Sequence, residues 1–147
     1  MTHTRRHLII TAPLLEVLRS HAQRDYPFEA CGFLIGESVG DTTRVTSTVP
    51  VANNAVPESR HRAYAIAPQA WMSVEKQLDL LRQVIVGIYH SHPDHSAAIS
   101  HTDTQALWPE LVYLIVPAGS TQHQPPAAWE LDDNTGLVRS CPVNVTP

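Results

Sequence analysis

The chain predicts one α/β domain over residues 1–147, a mixed central β-sheet flanked by helices. Three observations carry that prediction. Apolar runs of strand length recur at residues 8–10, 31–35, 84–89 and 111–116, each bounded by turn or polar residues. Between them lie two longer stretches whose apolar residues fall at helical spacing. The length, 147 residues with 43% hydrophobic and 16% charged, suits one core that buries roughly two-thirds of the unfolded surface.

Leu8-Ile9-Ile10 opens as a short strand. Thr11 reads as the N-cap of a helix with Pro13 in its first turn, where proline is tolerated. Leu14, Leu15, Leu18 and Ala22 form its apolar stripe, and it ends before Pro27. Residues 31–35 read as a buried strand and 44–51 as a more exposed, alternating one. Residues 52–62 hold Asn53-Asn54, Pro57 and several charges, so they read as a loop, with 64–66 short and strand-like. Pro68 opens a second helix with Trp71, Val74, Leu78 and Leu81 as its core stripe. A strand over 84–89 and a short helix at about 101–107 follow, then a central strand over 111–116. Residues 127–131 and 137–145 flank Asp132-Asp133-Asn134-Thr135-Gly136, a turn-rich segment that predicts a hairpin.

A net charge of −4 and the lack of any basic stripe exclude an electrostatic case for nucleic acid. No apolar run approaches the roughly 20 residues of a membrane span. The basic start, residues 1–6, leads into a run broken by Pro13, short of a signal core of about 7–15 residues. The expectation is a cytoplasmic protein with no membrane and no nucleic-acid partner. Cys31 and Cys141 form neither a disulfide framework nor a metal-knuckle spacing. Cys31 reads as a small buried side chain, and His3, His7, His21 and His61 as solvated or locally bonded.

The chemistry concentrates in His90-Ser91-His92-Pro93, followed by Ser100 and Asp103. Residues i and i+2 of a strand share a face at roughly 6.6 Å, so His90 and His92 can lean toward one ion. The ten residues after His92 allow a loop and a first helical turn to return Asp103. A catalytic zinc takes three protein ligands and keeps a fourth position for water. Ser100 and Asp103 also fit a plain helix start, Ser as N-cap and Asp in place of the usual capping-box Glu. Hydrolysis needs a base as well. Glu29, in Pro27-Phe28-Glu29-Ala30-Cys31-Gly32-Phe33-Leu34, sits at a helix–strand junction where packing does not explain an acid.

These residues make the chain resemble the JAMM (MPN+) metalloproteases, in their compact stand-alone prokaryotic form. The family signature is a distant Glu, then His-x-His-Pro, seven residues, and Ser-x-x-Asp. It is met here by Glu29, His90, His92, Pro93, Ser100 and Asp103. The resemblance implies a JAMM/MPN-like, cytidine-deaminase-like layout and a zinc (Zn2+) cofactor held by His90, His92 and Asp103. It also implies Glu29 as general acid/base and Ser100 as oxyanion stabiliser. His95 and His101 sit close enough to serve as replacement ligands or substrate contacts.

Residues 52–62 are short and no Cys- or His-rich insertion follows Asp103. The resemblance therefore implies a zinc peptidase or isopeptidase cutting after the C-terminal Gly-Gly of a small ubiquitin-like, sulfur-carrier protein. Three alternatives stay open: a metallopeptidase on short cell-wall or processing peptides, a non-haem iron oxygenase, and a binding module with a closed, four-ligand structural metal.

Overall fold

The computed structural model describes residues 5–147; His3 lies outside them. In chain order the elements are β1 (His7–Thr11), α1 (Ala12–Asp25), β2 (Cys31–Val39), β3 (Thr42–Val51), α2 (Pro68–Leu81), β4 (Val84–Pro93), α3 (His101–Thr104), β5 (Val112–Ala118), β6 (Ala127–Leu131), β7 (Val138–Cys141) and β8 (Val143–Thr146). The strands form one mixed sheet in the order β7-β6-β5-β4-β2-β3-β1-β8. The pairs β4–β5, β1–β3 and β1–β8 are parallel and the others antiparallel. This is the predicted mixed-sheet α/β fold.

Thr11 caps α1 as expected, its Oγ1 accepting from the Leu14 N–H at 3.3 Å. Helix α1 lays Leu15, Leu18 and Ala22 on one face of the sheet, against Leu8, Ile10, Leu34, Val112 and Leu114. Helix α2 covers the other face, packing Val74 and Leu78 against Phe33, Ile35, Ile88 and Tyr113. The alternation of the strands sorts residues between these two layers. One bulge adjusts it on β4, where Leu34 pairs with Gly87 and Ile35 with Ile85, leaving Val86 as the extra residue. Past that bulge Ile88 faces α2 and Tyr89 faces α1. His90 and His92 therefore continue on the α2 face.

Four expectations need correction. Residues 64–66 do not join the sheet. The stripe of α2 stops at Leu78, because Leu81 lies in the last turn and stays 66% exposed. Helix α3 spans only His101–Thr104. Residues 137–145 are not one hairpin arm. Pro142, which has no N–H for a ladder, divides them into β7, paired with β6, and β8, paired with β1 at the far end of the sheet. With one residue between them, the two outermost strands meet end to end, which brings the two edges of the sheet together at a seam. Arg6 fastens the seam, its Nε 3.0 Å from Glu130 Oε1 on β6, and the Leu8 N–H donates to Pro142 O.

Candidate active site

Strand β4 is central, so His90 is held from either side and His92 from the β5 side. His90 pairs across with Cys31 of β2 and Ile115 of β5, and His92 with Pro117. Both imidazoles are buried, as is Asp103 from the first turn of α3. His90 Nε2 lies 3.3 Å from His92 Nε2 and 3.1 Å from Asp103 Oδ2, while His92 Nε2 lies 2.9 Å from the same Oδ2. An ion with ligands at about 2.0–2.1 Å in tetrahedral array needs its donors about 3.3 Å apart. The three atoms fit such an ion after movements of a few tenths of an ångström. Among the described residues this potential metal-binding group contains His90, His92 and Asp103, with neither His95 nor His101 in it. His101 is exposed and its Nε2 lies near Gln105.

Neighbouring groups set the orientation of each ligand. His92 Nδ1–H donates to Ser96 O at 2.8 Å, which leaves Nε2 as the lone-pair nitrogen for a metal. The loop carrying Ser96 is tied down by Thr121 Oγ1 to His95 O at 2.7 Å, Trp129 Nε1 to Ala97 O at 3.0 Å, and the Ser120 N–H to Asp94 Oδ1 at 2.8 Å. The His90 ring stacks on Tyr64, with centroids 4.4 Å apart, and its buried Nδ1 has no partner. Ser100 and Asp103 form the capping box in full. Ser100 Oγ accepts from the Asp103 N–H at 3.0 Å, and Asp103 Oδ2 accepts from the Ser100 N–H at 3.4 Å. The helix-start reading and the ligand geometry thus hold together, through one carboxylate oxygen.

Glu29 lines the same cleft, about 320 Å³, with His61, Arg62, His92, Pro93, His95, Ser96, Ala98 and Ser100. It is 3% exposed and its Oε1 has no partner. Its backbone is fixed on both sides, the N–H donating to Arg60 O at 2.7 Å and the C=O accepting from Asn53 Nδ2 at 3.0 Å. Asn53 also bonds Ala63 O, Ala55 N and Ala65 N, so one side chain shapes the loop that carries Tyr64 over His90. The sequence marked Asn53 only as a loop residue; an Asn that ties distant backbone looks no different from one in a turn.

The electrostatics follow from burial and from Asp103. Burial pushes the Glu29 carboxyl up to about 8, with the nearby His92 opposing and Asp103 adding to the rise. Burial lowers His90. Burial also acts to lower His92, but its bonds to Asp103 and Ser96 O outweigh this and hold it above its ordinary value. Burial acts to raise Asp103, yet its bonds to His90 and His92 keep its carboxyl well below the usual carboxylate range. Cys31 is buried and its thiol is pushed up to about 12 by burial, far from a nucleophile. His21 is locally bonded, between Tyr89 OH at 2.8 Å and Asp25 Oδ2 at 3.1 Å. Tyr89 has room to reach it because it lies over Gly32, where a Cβ would stand 2.5 Å from its ring.

Residues 11–132 match the model of the prokaryotic homologs of the JAB domain. The chain belongs to that family. Members similar to it include a desampylase of Haloferax volcanii, 37% identical over 120 residues, covering 78% of this chain and 82% of the relative. A CysO-cysteine peptidase of Mycobacterium tuberculosis is 32% identical over 139 residues, covering 94% and 90%. Among solved structures, a protein of Desulfitobacterium hafniense superposes with a TM-score of 0.79 at 26% identity, covering 94% of this chain and 92% of that one. One of Salinibacter ruber gives 0.69 at 29%, covering 96% and 91%. The resemblance read from the signature is borne out, and with it the class of enzyme, a JAMM-type hydrolase rather than an oxygenase or a binding module.

Proposed function

We propose that this JAB-domain protein is a zinc-dependent peptidase or isopeptidase that cuts after the C-terminal Gly-Gly of a small ubiquitin-like, sulfur-carrier protein. The observation that carries the reading is the buried triangle of two imidazole nitrogens and one carboxylate oxygen, with an orphaned glutamate in the same cleft. His90, His92 and Asp103 would hold the metal. When bound, zinc supplies Lewis acidity and brings the pKa of water at its open position to about 7. Glu29 would accept the proton of the attacking water and pass it to the departing amine, and its Oε1, unpartnered among the described residues, is the atom available for both transfers. Ser100 keeps a hydroxyl proton to donate, because its cap bond uses only an oxygen lone pair, and it offers that proton to the developing oxyanion.

The substrate class draws support from the desampylase and the CysO-cysteine peptidase, both stand-alone relatives matched over most of their length. The absence of a long insertion on either side of the cleft suits a thin tail, since glycine allows close backbone approach. No described helix is long and apolar enough to cross a membrane. Cys31 and Cys141 are free, which suits a reducing cytoplasm. The test incubates the zinc-loaded protein with a diglycine-ended carrier bearing one further residue, and follows the release by mass spectrometry. Chelator-sensitive loss of that residue is expected. An intact carrier beside rapid cleavage of short free peptides would favour the processing-peptidase alternative.

A further inference from the structure

The mouth of the cleft carries a cation, Arg62, beside two imidazoles, on a chain of net charge −4. His61, Arg62 and His95 line it, whereas its one acidic lining residue is the buried Glu29. His61 and Arg62 are exposed, and neither side chain forms a hydrogen bond or ion pair with another described residue. Arg60, two positions earlier, instead spends its Nε on Ala55 O at 2.8 Å. The backbone beneath them is fixed: the Arg62 N–H donates to Ser59 O, Arg60 O receives the Glu29 N–H, and Ala63 O receives Asn53 Nδ2. The guanidinium therefore stands on a rigid frame with no counter-ion.

Resting on the hydrolase reading above, the geometry points to Arg62, flanked by His61, as the group that takes the α-carboxylate of a single residue leaving the carrier's C-terminus. The side of the cleft decides this. Arg60 O takes the Glu29 N–H, and Asn53 Nδ2 bridges Glu29 O and Ala63 O, so the segment carrying Arg62 lies on the Glu29 side of the metal ligands. Glu29 returns the proton to the departing amine, so the leaving group occupies that side. In a C-terminal residue the carboxylate carbon is about 2.5 Å from the amine nitrogen, which brings a negative charge into the reach of the buried glutamate. An arginine with a free fork offsets that repulsion and matches a carboxylate with two hydrogen bonds. An isopeptide leaving group offers no such charge near its amine, because the lysine α-carboxyl lies at the far end of the side chain and is an amide within a protein. Chain elongation by a second residue moves the carboxylate about 3.8 Å away.

The reaction balances without a further reactant. The Gly–Xaa C–N bond breaks, water gives its hydroxyl to the glycyl carbon, and its proton travels through Glu29 to the amine. The cleft thus selects a one-residue main-chain extension.

The test compares three zinc-loaded reactions: a carrier ending Gly-Gly-Xaa as free acid, the same carrier as C-terminal carboxamide, and the carrier joined by isopeptide to a lysine peptide. The acid should exceed the other two in kcat/KM by roughly 10- to 100-fold, the range for a hydrogen-bonded charge. Arg62→Ala should remove that preference by slowing the acid alone, and Arg62→Lys should restore part of it. Binding of the acid and amide forms to Glu29→Gln, followed by calorimetry, should show the same ratio without turnover. Equal rates on acid and amide, or a preference that survives Arg62→Ala, would overturn this inference and leave the hydrolase reading intact. Failure to cut any of the three would bring down both.

Discussion

Two buried glutamates separate the structural half of this molecule from the chemical half. Glu29 and Glu130 are 3% and 2% exposed, yet their carboxyls shift in opposite directions. Burial acts to raise Glu130 too, but the Arg6 backbone N–H, the Arg6 side chain and Arg139 outweigh it and hold the carboxyl below the usual range. Both its oxygens are matched, by Arg6 Nε at 3.0 Å and Arg139 Nε at 3.1 Å. Glu29 has no cation bonded to it, and burial lifts it to about 8. A buried acid with its hydrogen bonds complete serves the fold. One left with an orphan oxygen near the His92 imidazole and the Asp103 carboxylate is a destabilised group poised to exchange a proton.

Substitutions should break this contrast in graded ways. The largest effect is expected from His92→Ala or Asp103→Ala, which remove a ligand: metal analysis of the purified variants should find zinc lost and turnover at background. Glu29→Gln should keep zinc and fold but slow turnover roughly 10²–10⁴-fold, the usual worth of a positioned acid/base. Glu130→Ala should do the converse. Chemical denaturation should show a loss of about 3 kcal/mol, the low end for breaking a buried pair because both arginines keep some solvent, while the folded fraction retains zinc. Smaller still, Thr11→Ala should cost about 1 kcal/mol through its lost cap, with kcat unchanged.

The pH dependence of the metal-free protein sharpens the same comparison. The fold holds the Glu29 proton more tightly than the unfolded chain, whose carboxyl sits near 4.5. Its contribution is therefore complete below about 4.5 and disappears as pH rises through about 8. Thermal melts with chelator present should show wild type losing stability over that window relative to Glu29→Gln, by a few kcal/mol at most. A wild-type curve parallel to that of the variant would mean that the carboxyl is ionised in the fold.

The candidate metal-binding group was legible because strand alternation and a fixed spacing are local properties. His90 and His92 needed only β4, and Asp103 needed only a loop and a cap. Most of the strand order was illegible, since β1 meets β8 through pairs such as Leu8 with Val143, which no local pattern announces. Tyr64 read as strand-like from its apolar neighbours, but it leaves the sheet to stack on His90. Asn53 and Ser96 escaped notice for a related reason. Asn53 matters through its bonds to distant backbone, and Ser96 through its main-chain carbonyl, which accepts from His92 Nδ1.

The Pro142 seam has a consequence for how the molecule comes into being. Strand β1 is made more than 130 residues before one of its two neighbours, which comes from residues 143–146. Until then β1 shows an unmatched edge, and neither β8 nor the Leu8–Pro142 bond is there to join the two ends of the sheet. Because such distant pairings form slowly and leave strands open to foreign partners meanwhile, the folding chain is most exposed to aggregation at the β1 edge until residues 143–146 reach it.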